Sequence, residues 1–311
     1  MVWPSYLSLW KSGELHERIK KAYDILSSCR ICPRQCRVNR QESGTGACRT
    51  GPLPLVSRFG PHFGEEPPLT GRNGSGTIFF TNCNLACAYC QNYTISQQGC
   101  GREVSLEELS KIMLALQETG CHNINLVSPS HVVPQILAAL EAAVSSGLRL
   151  PLVYNTGTYD SLDTLALLDG VIDIYMPDTK YGKESVALAL SGIPEYPRVM
   201  MHALREMHRQ VGDLACRYRV AVRGMLIRHL VLPNNLADSG VIMEFIAREI
   251  SPESYVNIMA QYHPMWQVLE QDDQPLYRQM RRGITRDEYQ SVVEQAKKLK
   301  LHRGFDGEEG C

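Results

Sequence analysis

The hydrophobic positions of the chain change period repeatedly from about residue 70 onward. Six short apolar runs predict buried strands: TIFF (77–80), NINLV (123–127), PLVYNT (151–156), VIDIYM (171–176), GMLIRHLVLP (224–233) and SYVNIMAQ (254–261). Between them, apolar residues three and four positions apart predict helices over 105–120, 132–147, 161–168, 183–190, 195–211 and 236–250. Strands that alternate with helices form parallel βαβ units, so we expect one predominantly parallel sheet.

The number of these units indicates the architecture. Six strands and their helices within about 190 residues predict an α/β fold, in the form of a partial (β/α)6 TIM-like barrel. A flat, doubly wound sheet is the alternative, because the hydrophobic period of the strands is the same in both folds.

Two segments flank the predicted barrel. Before it, residues 8–28 have the apolar face of a helix, and residues 29–68 are rich in Cys, Gly, Pro and Arg, which predicts irregular structure. After it, residues 285–300 predict a closing helix. We therefore expect three parts: an N-terminal helix with a cysteine-rich metal-binding extension (1–69), the barrel (70–270) and a C-terminal helical extension (271–311).

Composition limits the classes of function. The 311 residues are 44% hydrophobic and 21% charged, and the formal net charge of −1 does not favour nucleic acid or an anionic membrane. No apolar run approaches the roughly 18 residues that span a bilayer, and the N-terminus lacks the features of a signal peptide. We therefore expect a cytoplasmic protein. In that compartment, eleven cysteines indicate metal or redox chemistry rather than disulfide bonds.

The stretch TNCNLACAYCQN (81–92) follows the first predicted strand and contains Cys83, Cys87 and Cys90 in a C-x3-C-x2-C spacing. Thiolates bind zinc and iron–sulfur clusters, and a structural zinc site needs four ligands. A [4Fe–4S] cluster held by three cysteines instead keeps one iron open for chemistry. Barrel enzymes carry their active sites at the carboxyl ends of strands, which favours a catalytic cluster over structural zinc or unligated thiols.

This spacing, with the aromatic Tyr89 before the last cysteine, resembles the radical S-adenosylmethionine (radical SAM) superfamily. The resemblance implies that the open iron binds the amino and carboxylate groups of S-adenosylmethionine. It also implies that one electron cleaves the sulfonium to methionine and a 5′-deoxyadenosyl radical, which abstracts a hydrogen atom. The cofactor then supplies the chemistry and the protein positions it, with Tyr89 as a candidate neighbour of the adenine.

Later segments resemble motifs of the glycyl-radical-enzyme activases, such as the pyruvate formate-lyase activating enzyme. YNTGTY (154–159) places Asn155 at a strand tip, and a turn is the alternative interpretation of this stretch. MPDTK (176–180) places Asp178 and Lys180 on one strand face, because side chains two apart point the same way. The resemblance implies that this pair lies near the methionine end of the cofactor and the substrate, and a surface ion pair is the alternative.

Two further strands complete the resemblance. LIRHLVLP (226–233) places Arg228 inside an apolar strand, where a buried cation needs an anion such as the carboxylate of the cofactor. AQYHPM (260–265) provides His263, which the resemblance places against the ribose.

One segment departs from the superfamily pattern. Many members carry a Gly-Gly-Glu-like stretch after the second strand, which holds the amino group of the cofactor. This chain has NLVSPSH (125–131) instead, in which Asn125, Ser128 and Ser130 provide candidate acceptors. Ser128 is therefore included among the expected cofactor contacts.

A second group of thiols lies in CRICPRQCRVNRQESGTGAC (29–48). We call Cys29, Cys32, Cys36 and Cys48 the N-terminal cysteine set, and their spacing is C-x2-C-x3-C-x11-C. Four thiolates suit zinc or an auxiliary iron–sulfur cluster, and metal-free thiols are the remaining alternative. The arrangement resembles an activase-like subgroup of the superfamily with an extra N-terminal cysteine cluster.

These patterns lead to a functional hypothesis with two main rivals; a third, in which Cys29–Cys48 is a zinc module for nucleic acid, is opposed by the near-neutral net charge. The favoured hypothesis is a radical SAM enzyme that activates a glycyl-radical enzyme, with flavodoxin or ferredoxin as electron donor and no nucleic acid or membrane partner. The first rival is a radical SAM enzyme that modifies another peptide or a small molecule. The second is a non-catalytic iron–sulfur electron carrier, which would not turn over S-adenosylmethionine.

Overall fold

The computed structural model describes residues 3–42, 44–271 and 274–305. The strands are β1 (Leu55–His62), β2 (Ser75–Phe80), β3 (Arg102–Glu103), β4 (Ile124–Val127), β5 (Leu152–Thr156), β6 (Ile174–Pro177), β7 (Ala215–Arg217), β8 (Val220–Leu230) and β9 (Tyr255–Met259). The helices are α1 (Tyr6–Ser12), α2 (Glu14–Ser27), α3 (Pro67–Thr70), α4 (Tyr93–Ser96), α5 (Leu106–Glu118), α6 (Val133–Ser145), α7 (Leu162–Leu168), α8 (Glu184–Ser191), α9 (Tyr196–Val211), α10 (Ser239–Phe245), α11 (Gln267–Glu270), α12 (Pro275–Gln279) and α13 (Arg286–Lys298). The last residues of the predicted C-terminal extension, 306–311, lie outside the described ranges.

One sheet contains all nine of these strands. Six of them are parallel, and they lie side by side in the same order as along the chain: β2, β4, β5, β6, β8 and β9. They are the six strands that the hydrophobic pattern predicts, and the partial (β/α)6 barrel is confirmed. In the described part of the chain no pairing joins β2 to β9, so the barrel is not closed. On the outer edge of β2, β1 pairs antiparallel, and β3 extends it.

Apolar side chains form two separate cores on the two faces of the sheet. The larger core lies between the sheet and the surrounding helices. The smaller one lies inside the barrel, where Leu69 of α3 packs with Val153, Ile174, Leu226 and Tyr255 near the amino ends of the strands. The polar residues described below lie at the opposite, carboxyl ends of the strands.

Two contacts bridge the open side of the barrel. On the carboxyl edge, the backbone N–H of Val268 donates to the carbonyl of Ala88 at 3.4 Å. Nearby, the Gln91 side chain donates to the carbonyl of Gln261 at 3.2 Å. The chain that follows β9 therefore rests on the 81–92 loop that follows β2.

Local structure differs from the predictions at three places. The expected helix over 8–28 is divided at Gly13, whose φ of 80° is the left-handed conformation that ends α1. The expected helix over 236–250 begins as α10 and ends in a π-helical turn, Ile246–Ile250. The segment 29–68 contains β1, which has little apolar alternation of its own and forms because β2 offers it a pairing edge.

The N-terminal helices share the core of the barrel helices. Tyr6, Leu15 and Leu26 are fully buried in that core, and the Tyr6 hydroxyl donates to the carbonyl of Leu150 at 2.7 Å. The division of the chain into three parts stays a prediction. Within the described ranges, no helix is long and apolar enough to cross a membrane.

Candidate active site

The three-cysteine loop begins where β2 ends, at the carboxyl edge of the sheet. All six residues of β2 are buried, and the chain turns out of the strand through Asn82, whose φ is 70°. Gly157, after β5, lets Leu85 of the loop approach closely, because a Cβ at Gly157 would lie 2.5 Å from Leu85 Cδ1. The backbone at Gly157 is therefore packed closely against the loop.

Each sulfur of the loop has a polar neighbour. Ser191, at the end of α8, donates to the Cys87 Sγ at 3.2 Å. The Ser96 hydroxyl lies 3.2 Å from the Cys90 Sγ, and the backbone N–H of Leu85 lies 3.4 Å from the Cys83 Sγ. Donors of this kind tune the reduction potential of a cluster held by thiolates. Ser191 comes from a distant part of the chain and Ser96 from the helix that follows the loop, and no pattern around the cysteines predicts either contact.

Burial opposes ionisation of two of these thiols, Cys83 and Cys90. It raises the pKa of Cys83 to about 12, with a smaller contribution from the neighbouring thiolates. Burial also raises the pKa of Cys90. Metal ions bind the thiolate form, so ligation must displace these protons.

A cation–carboxylate network lies beside the loop. The Asp178 carboxylate accepts from Arg228 Nε at 2.8 Å and from Lys180 Nζ at 2.9 Å. Arg228 Nη2 donates to the Asn155 Oδ1 at 2.8 Å. Burial alone would lower the pKa of Lys180, but the negative charges of Asp178 and of the Cys87 thiolate outweigh it and raise that pKa well above its usual value. Four residues predicted from three different strands are thus in one group near the loop.

Two carboxylates that the sequence did not suggest complete this network. Glu65 Oε2 lies 3.4 Å from Arg228 Nη1, and its side chain is 8% exposed. Burial raises the pKa of Glu65 against the opposing charge of Arg228. Glu66 accepts from the side-chain amide of Asn257 at 2.8 Å. Asn257 lies on β9, in register with Arg228 on the neighbouring strand β8. Two features of the sequence could have indicated these residues: a Glu-Glu pair before two prolines (65–68) and an asparagine inside an apolar strand (257).

Some buried polar atoms around this network have no hydrogen-bond partner among the described residues. They are Glu66 Oε2 and both amide atoms of Asn125. Asn125 is in register with Val153, which points into the barrel, so its side chain faces the same interior. Burying unpaired polar atoms is costly, and such atoms are commonly the partners of a ligand or of water.

The remaining predicted cofactor contacts lie around the rim. His263 is exposed, and its Nδ1 lies 3.4 Å from the side-chain amide of Gln91, the residue directly after Cys90. Ser128 adopts a left-handed φ of 57°, and its N–H donates to the carbonyl of Asn155 at 2.9 Å. Tyr89 is buried and packs edge-on to Tyr181. Their roles toward a cofactor stay predictions.

The segment that carries the N-terminal cysteine set packs against the 81–92 loop. Arg34, between Cys32 and Cys36, donates to the carbonyl of Asn84 at 3.0 Å. Arg49, directly after Cys48, donates to the carbonyl of Ser96 at 3.2 Å, and Asn82 donates back to the carbonyl of Arg49 at 3.3 Å. The two groups of cysteines therefore belong to one packed region at the carboxyl edge of the sheet.

In the N-terminal set, Cys29, Cys36 and Cys48 lie within electrostatic range of Cys32. Burial raises the pKa of Cys32 to about 12, and the charges of Cys48, Cys29 and Cys36 raise it further. Across residues 3–42, 44–271 and 274–305, no group of three or more His, Cys, Asp or Glu side chains is arranged to hold a single metal ion. A [4Fe–4S] cluster has no need of that arrangement, since each cysteine binds a different iron.

Three thiols on one loop at the carboxyl edge of an open parallel barrel are the arrangement expected of an iron–sulfur enzyme of the barrel class. Residues 77–246 match the family described as the radical SAM superfamily. The match covers more than half of the chain, and the chain belongs to this superfamily. Membership implies a [4Fe–4S] cluster and S-adenosylmethionine. Cys83, Cys87 and Cys90 fit the cluster, because they are three thiols on one loop with a polar neighbour at each sulfur.

Two individual proteins resemble the chain more broadly. An uncharacterized protein of Methanocaldococcus jannaschii, MJ0674, is 29% identical over 304 residues, which are 95% of this chain and 82% of that protein. A solved structure of TYW1 with a lysine-pyruvate adduct bound has a TM-score of 0.45 at 11% identity, over 75% of this chain and 76% of that one. Neither likeness assigns a substrate.

Proposed function

We propose that this radical SAM enzyme activates a partner glycyl-radical enzyme by taking a hydrogen atom from the α-carbon of one glycine. The chemistry that the cluster and S-adenosylmethionine supply when bound is a one-electron cleavage to methionine and a 5′-deoxyadenosyl radical. The hydrogen atom passes from the glycine to this radical, so the products are 5′-deoxyadenosine and a glycyl radical. The electron comes from a reduced flavodoxin or ferredoxin.

The observation that best supports this reaction class is the network of Asp178, Lys180 and Arg228 beside the three-cysteine loop. Cys83, Cys87 and Cys90 would hold the cluster. Lys180 and Arg228 keep positive charge at the carboxyl edge of the barrel, where a carboxylate group can be bound. Asp178 restrains both cations and so fixes the positions of their donors.

The rim of the open barrel has features that suit a macromolecular loop. Tyr93 of α4 and Trp266, before α11, stack with ring centroids 5.9 Å apart and an interplanar angle of 6°. Both rings are partly exposed. Stacked aromatic rings with an apolar face and a polar edge are typical of protein-binding surfaces.

The reaction class is tested by measuring 5′-deoxyadenosine. Protein reconstituted with iron and sulfide under anaerobic conditions, then reduced with dithionite, should form 5′-deoxyadenosine from S-adenosylmethionine. The Cys83→Ala variant should form none, whereas Cys121→Ala, which removes a buried thiol outside both cysteine groups, should retain the activity. Product formation by Cys83→Ala, or none from wild type with intact clusters, would contradict the assignment and favour an electron carrier.

The substrate is tested with the candidate partners themselves. Each glycyl-radical enzyme encoded in the source genome is co-expressed with this chain, and electron paramagnetic resonance is recorded on the partner. A doublet that collapses when glycine is deuterated at the α-carbon supports activation. No such signal from any partner, together with normal 5′-deoxyadenosine formation, would reject the substrate and leave the reaction class intact.

A small polar substrate is the second candidate, and the interior of the barrel favours it. Glu66 Oε2 and the amide of Asn125 are buried there without partners among the described residues. A ligand carrying an amino or hydroxyl group would satisfy them. In this case the low-molecular-weight fraction of a cell extract should stimulate 5′-deoxyadenosine formation by wild type and not by Glu66→Gln.

We also propose that the N-terminal cysteine set holds a second metal centre, either zinc or an auxiliary iron–sulfur cluster. The turn before Cys48 supports it, because the Ala47 N–H donates to the Cys36 Sγ at 3.3 Å and a Cβ at Gly46 would lie 2.8 Å from the same sulfur. Among the described residues no side chains are grouped for a single metal ion, which favours the iron–sulfur cluster over zinc. The packing of the segment that carries the cysteine set against the 81–92 loop would place the second centre next to the first.

A further inference from the structure

Arg40 is a fully buried arginine between the two cysteine groups, with 0% of its surface exposed. Its Nη1 donates to the carbonyl of His131 at 2.8 Å, and its Nη2 to the carbonyl of Gly51 at 3.3 Å. Among the described residues, no carboxylate forms an ion pair with it, and its Nε has no hydrogen-bond partner. A guanidinium removed from water in this way needs a compensating negative charge.

The ionisable group that Arg40 contacts is a thiol of the N-terminal cysteine set. Arg40 Nη1 lies 3.9 Å from the Cys29 Sγ. Cys29 and Cys32 are 5% exposed, and Cys48 is 6% exposed. A neutral thiol would not compensate a guanidinium, but four thiolates on a metal centre would.

The backbone brings the last cysteine of the set back toward the others. Gly46 allows this, because a Cβ there would lie 2.8 Å from the Cys36 Sγ. The next residue, Ala47, donates its N–H to the same sulfur at 3.3 Å. On either side of Cys36, Gln35 and Arg37 have left-handed φ angles of 42° and 58°. Strain of this kind in non-glycine residues persists at functional sites, where the surroundings impose it.

We infer that Cys29, Cys32, Cys36 and Cys48 form a metal–thiolate centre whose net negative charge is balanced by buried Arg40. The inference rests on the proposed second metal centre and adds the residue that compensates its charge. A zinc ion or an iron–sulfur core with four thiolates retains negative charge, so the role of Arg40 is the same for both. Arg40 acts through the ligand Cys29 and is a positioning residue.

Arg40 also connects the N-terminal set to the first loop. Its acceptor His131 donates through Nε2 to the carbonyl of Thr81 at 3.0 Å, two residues before Cys83. Burial lowers the pKa of His131 to about 3, and the charge of Arg40 lowers it further, so the imidazole is neutral. Two hydrogen bonds therefore connect Arg40 to the start of the 81–92 loop.

The first experiment tests whether the N-terminal cysteine set binds metal when the three cysteines of the 81–92 loop are absent. Cys83, Cys87 and Cys90 are all replaced by alanine, and iron, sulfide and zinc are measured in the anaerobically purified protein. Bound metal of either kind that is lost on adding Cys32→Ala supports the centre. Protein with neither metal, or with metal that survives Cys32→Ala, overturns it, while 5′-deoxyadenosine formation by wild type continues to report on the radical reaction.

The second experiment isolates Arg40 in the same triple-alanine protein. Metal release to an added chelator is timed for Arg40→Met, Arg40→Lys and Arg37→Met. Arg37 belongs to the same segment but is exposed, so its variant is the matched control. Loss of a residue that supports a metal ligand costs roughly 10- to 100-fold in affinity.

We expect release to be at least about tenfold faster in Arg40→Met than in Arg37→Met, with Arg40→Lys in between because it keeps the charge. Equal release from Arg40→Met and Arg37→Met would overturn the role of Arg40 and leave the centre itself in place. Circular dichroism shows whether each variant is folded. If Arg40→Met does not fold, Arg40→Gln, which removes the charge but keeps a hydrogen-bond donor, is compared with Arg37→Met, and equal rates there overturn the role.

Discussion

The Oδ1 of Asp178 lies 2.8 Å from both Nε and Nη2 of Arg228, in an ion pair whose side chains are 21% and 17% exposed. The other oxygen of Asp178 binds Lys180. The anion that a buried Arg228 requires is therefore present within the protein. A cofactor carboxylate at this place would join an existing network rather than neutralise an isolated cation.

The Asp178→Asn substitution tests how much the fold depends on this pair. It leaves Arg228 and Lys180 without their shared carboxylate, and breaking a buried ion pair costs about 3–5 kcal/mol. We expect a loss of that size in the free energy of unfolding, measured by urea denaturation. Asp169→Asn is the control, because Asp169 pairs with Arg209 at the surface and is 40% exposed. That change should cost less than about 1 kcal/mol, and equal losses would contradict the buried pair.

His229 should make stability depend on pH. It is fully buried, donates through Nδ1 to the carbonyl of Thr179 at 2.8 Å and accepts through Nε2 from Ser239 at 2.8 Å. Burial lowers its pKa to about 4, whereas the unfolded chain has about 6.5. Between these values only the unfolded state binds the proton, so stability is lost as pH falls.

The expected contribution of His229 is about 1.4 kcal/mol per pH unit between pH 6.5 and 4. Urea unfolding at a series of pH values should therefore show a shallower slope for His229→Gln than for wild type. His263→Gln, at an exposed histidine, should leave the slope unchanged. An unaltered slope in His229→Gln would mean that the imidazole is not held neutral.

Ser191 should raise the midpoint potential of the cluster that Cys83, Cys87 and Cys90 would hold. Its hydroxyl donates to the Cys87 Sγ, and hydrogen bonds to ligand sulfurs stabilise the reduced, more negative cluster. Ser191→Ala should lower the midpoint potential, on the order of tens of millivolts, in a dithionite titration followed by electron paramagnetic resonance. Ser145→Ala, at an exposed position of α6, should leave the potential unchanged. A shift to higher potential in Ser191→Ala would contradict the donor role.

Gly46 should be intolerant of a side chain. A Cβ at this position would lie 2.8 Å from the Cys36 Sγ, whereas a Cβ at Gly51 would have no atom within 4 Å. We expect Gly46→Ala to lower the free energy of unfolding by roughly 1–3 kcal/mol. Gly51→Ala should be neutral or slightly stabilising, since it only restricts the unfolded chain. Similar results for both glycines would mean that the 44–48 turn does not pack on Cys36.

Hydrophobic periodicity was sufficient to predict the parallel strands. The run predicted at 151–156 is β5 (Leu152–Thr156), and the run at 123–127 is β4 (Ile124–Val127). Both strands are covered by helices on one side and by the barrel interior on the other. A strand buried on both faces needs apolar residues throughout. A few consecutive residues are therefore enough to identify such a strand from the sequence.

Elements that depend on distant partners were not predictable in the same way. β1 is exposed at several positions and exists because β2 supplies its pairing edge. Glu65 meets Arg228 across 163 positions of sequence, and Ser191 meets Cys87 across 104. No local pattern encodes such contacts, because they follow from how the strands curve and how α3 enters the barrel.

By itself, the sequence determined the six-stranded parallel architecture and the loop of Cys83, Cys87 and Cys90, because periodicity and ligand spacing are local properties of a chain. Only the tertiary structure decided that Asp178 already neutralises Arg228, and that Arg40 is buried between the two cysteine groups. The energy of a charge depends on its burial and its neighbours, and both are set by the packing of segments far apart in sequence.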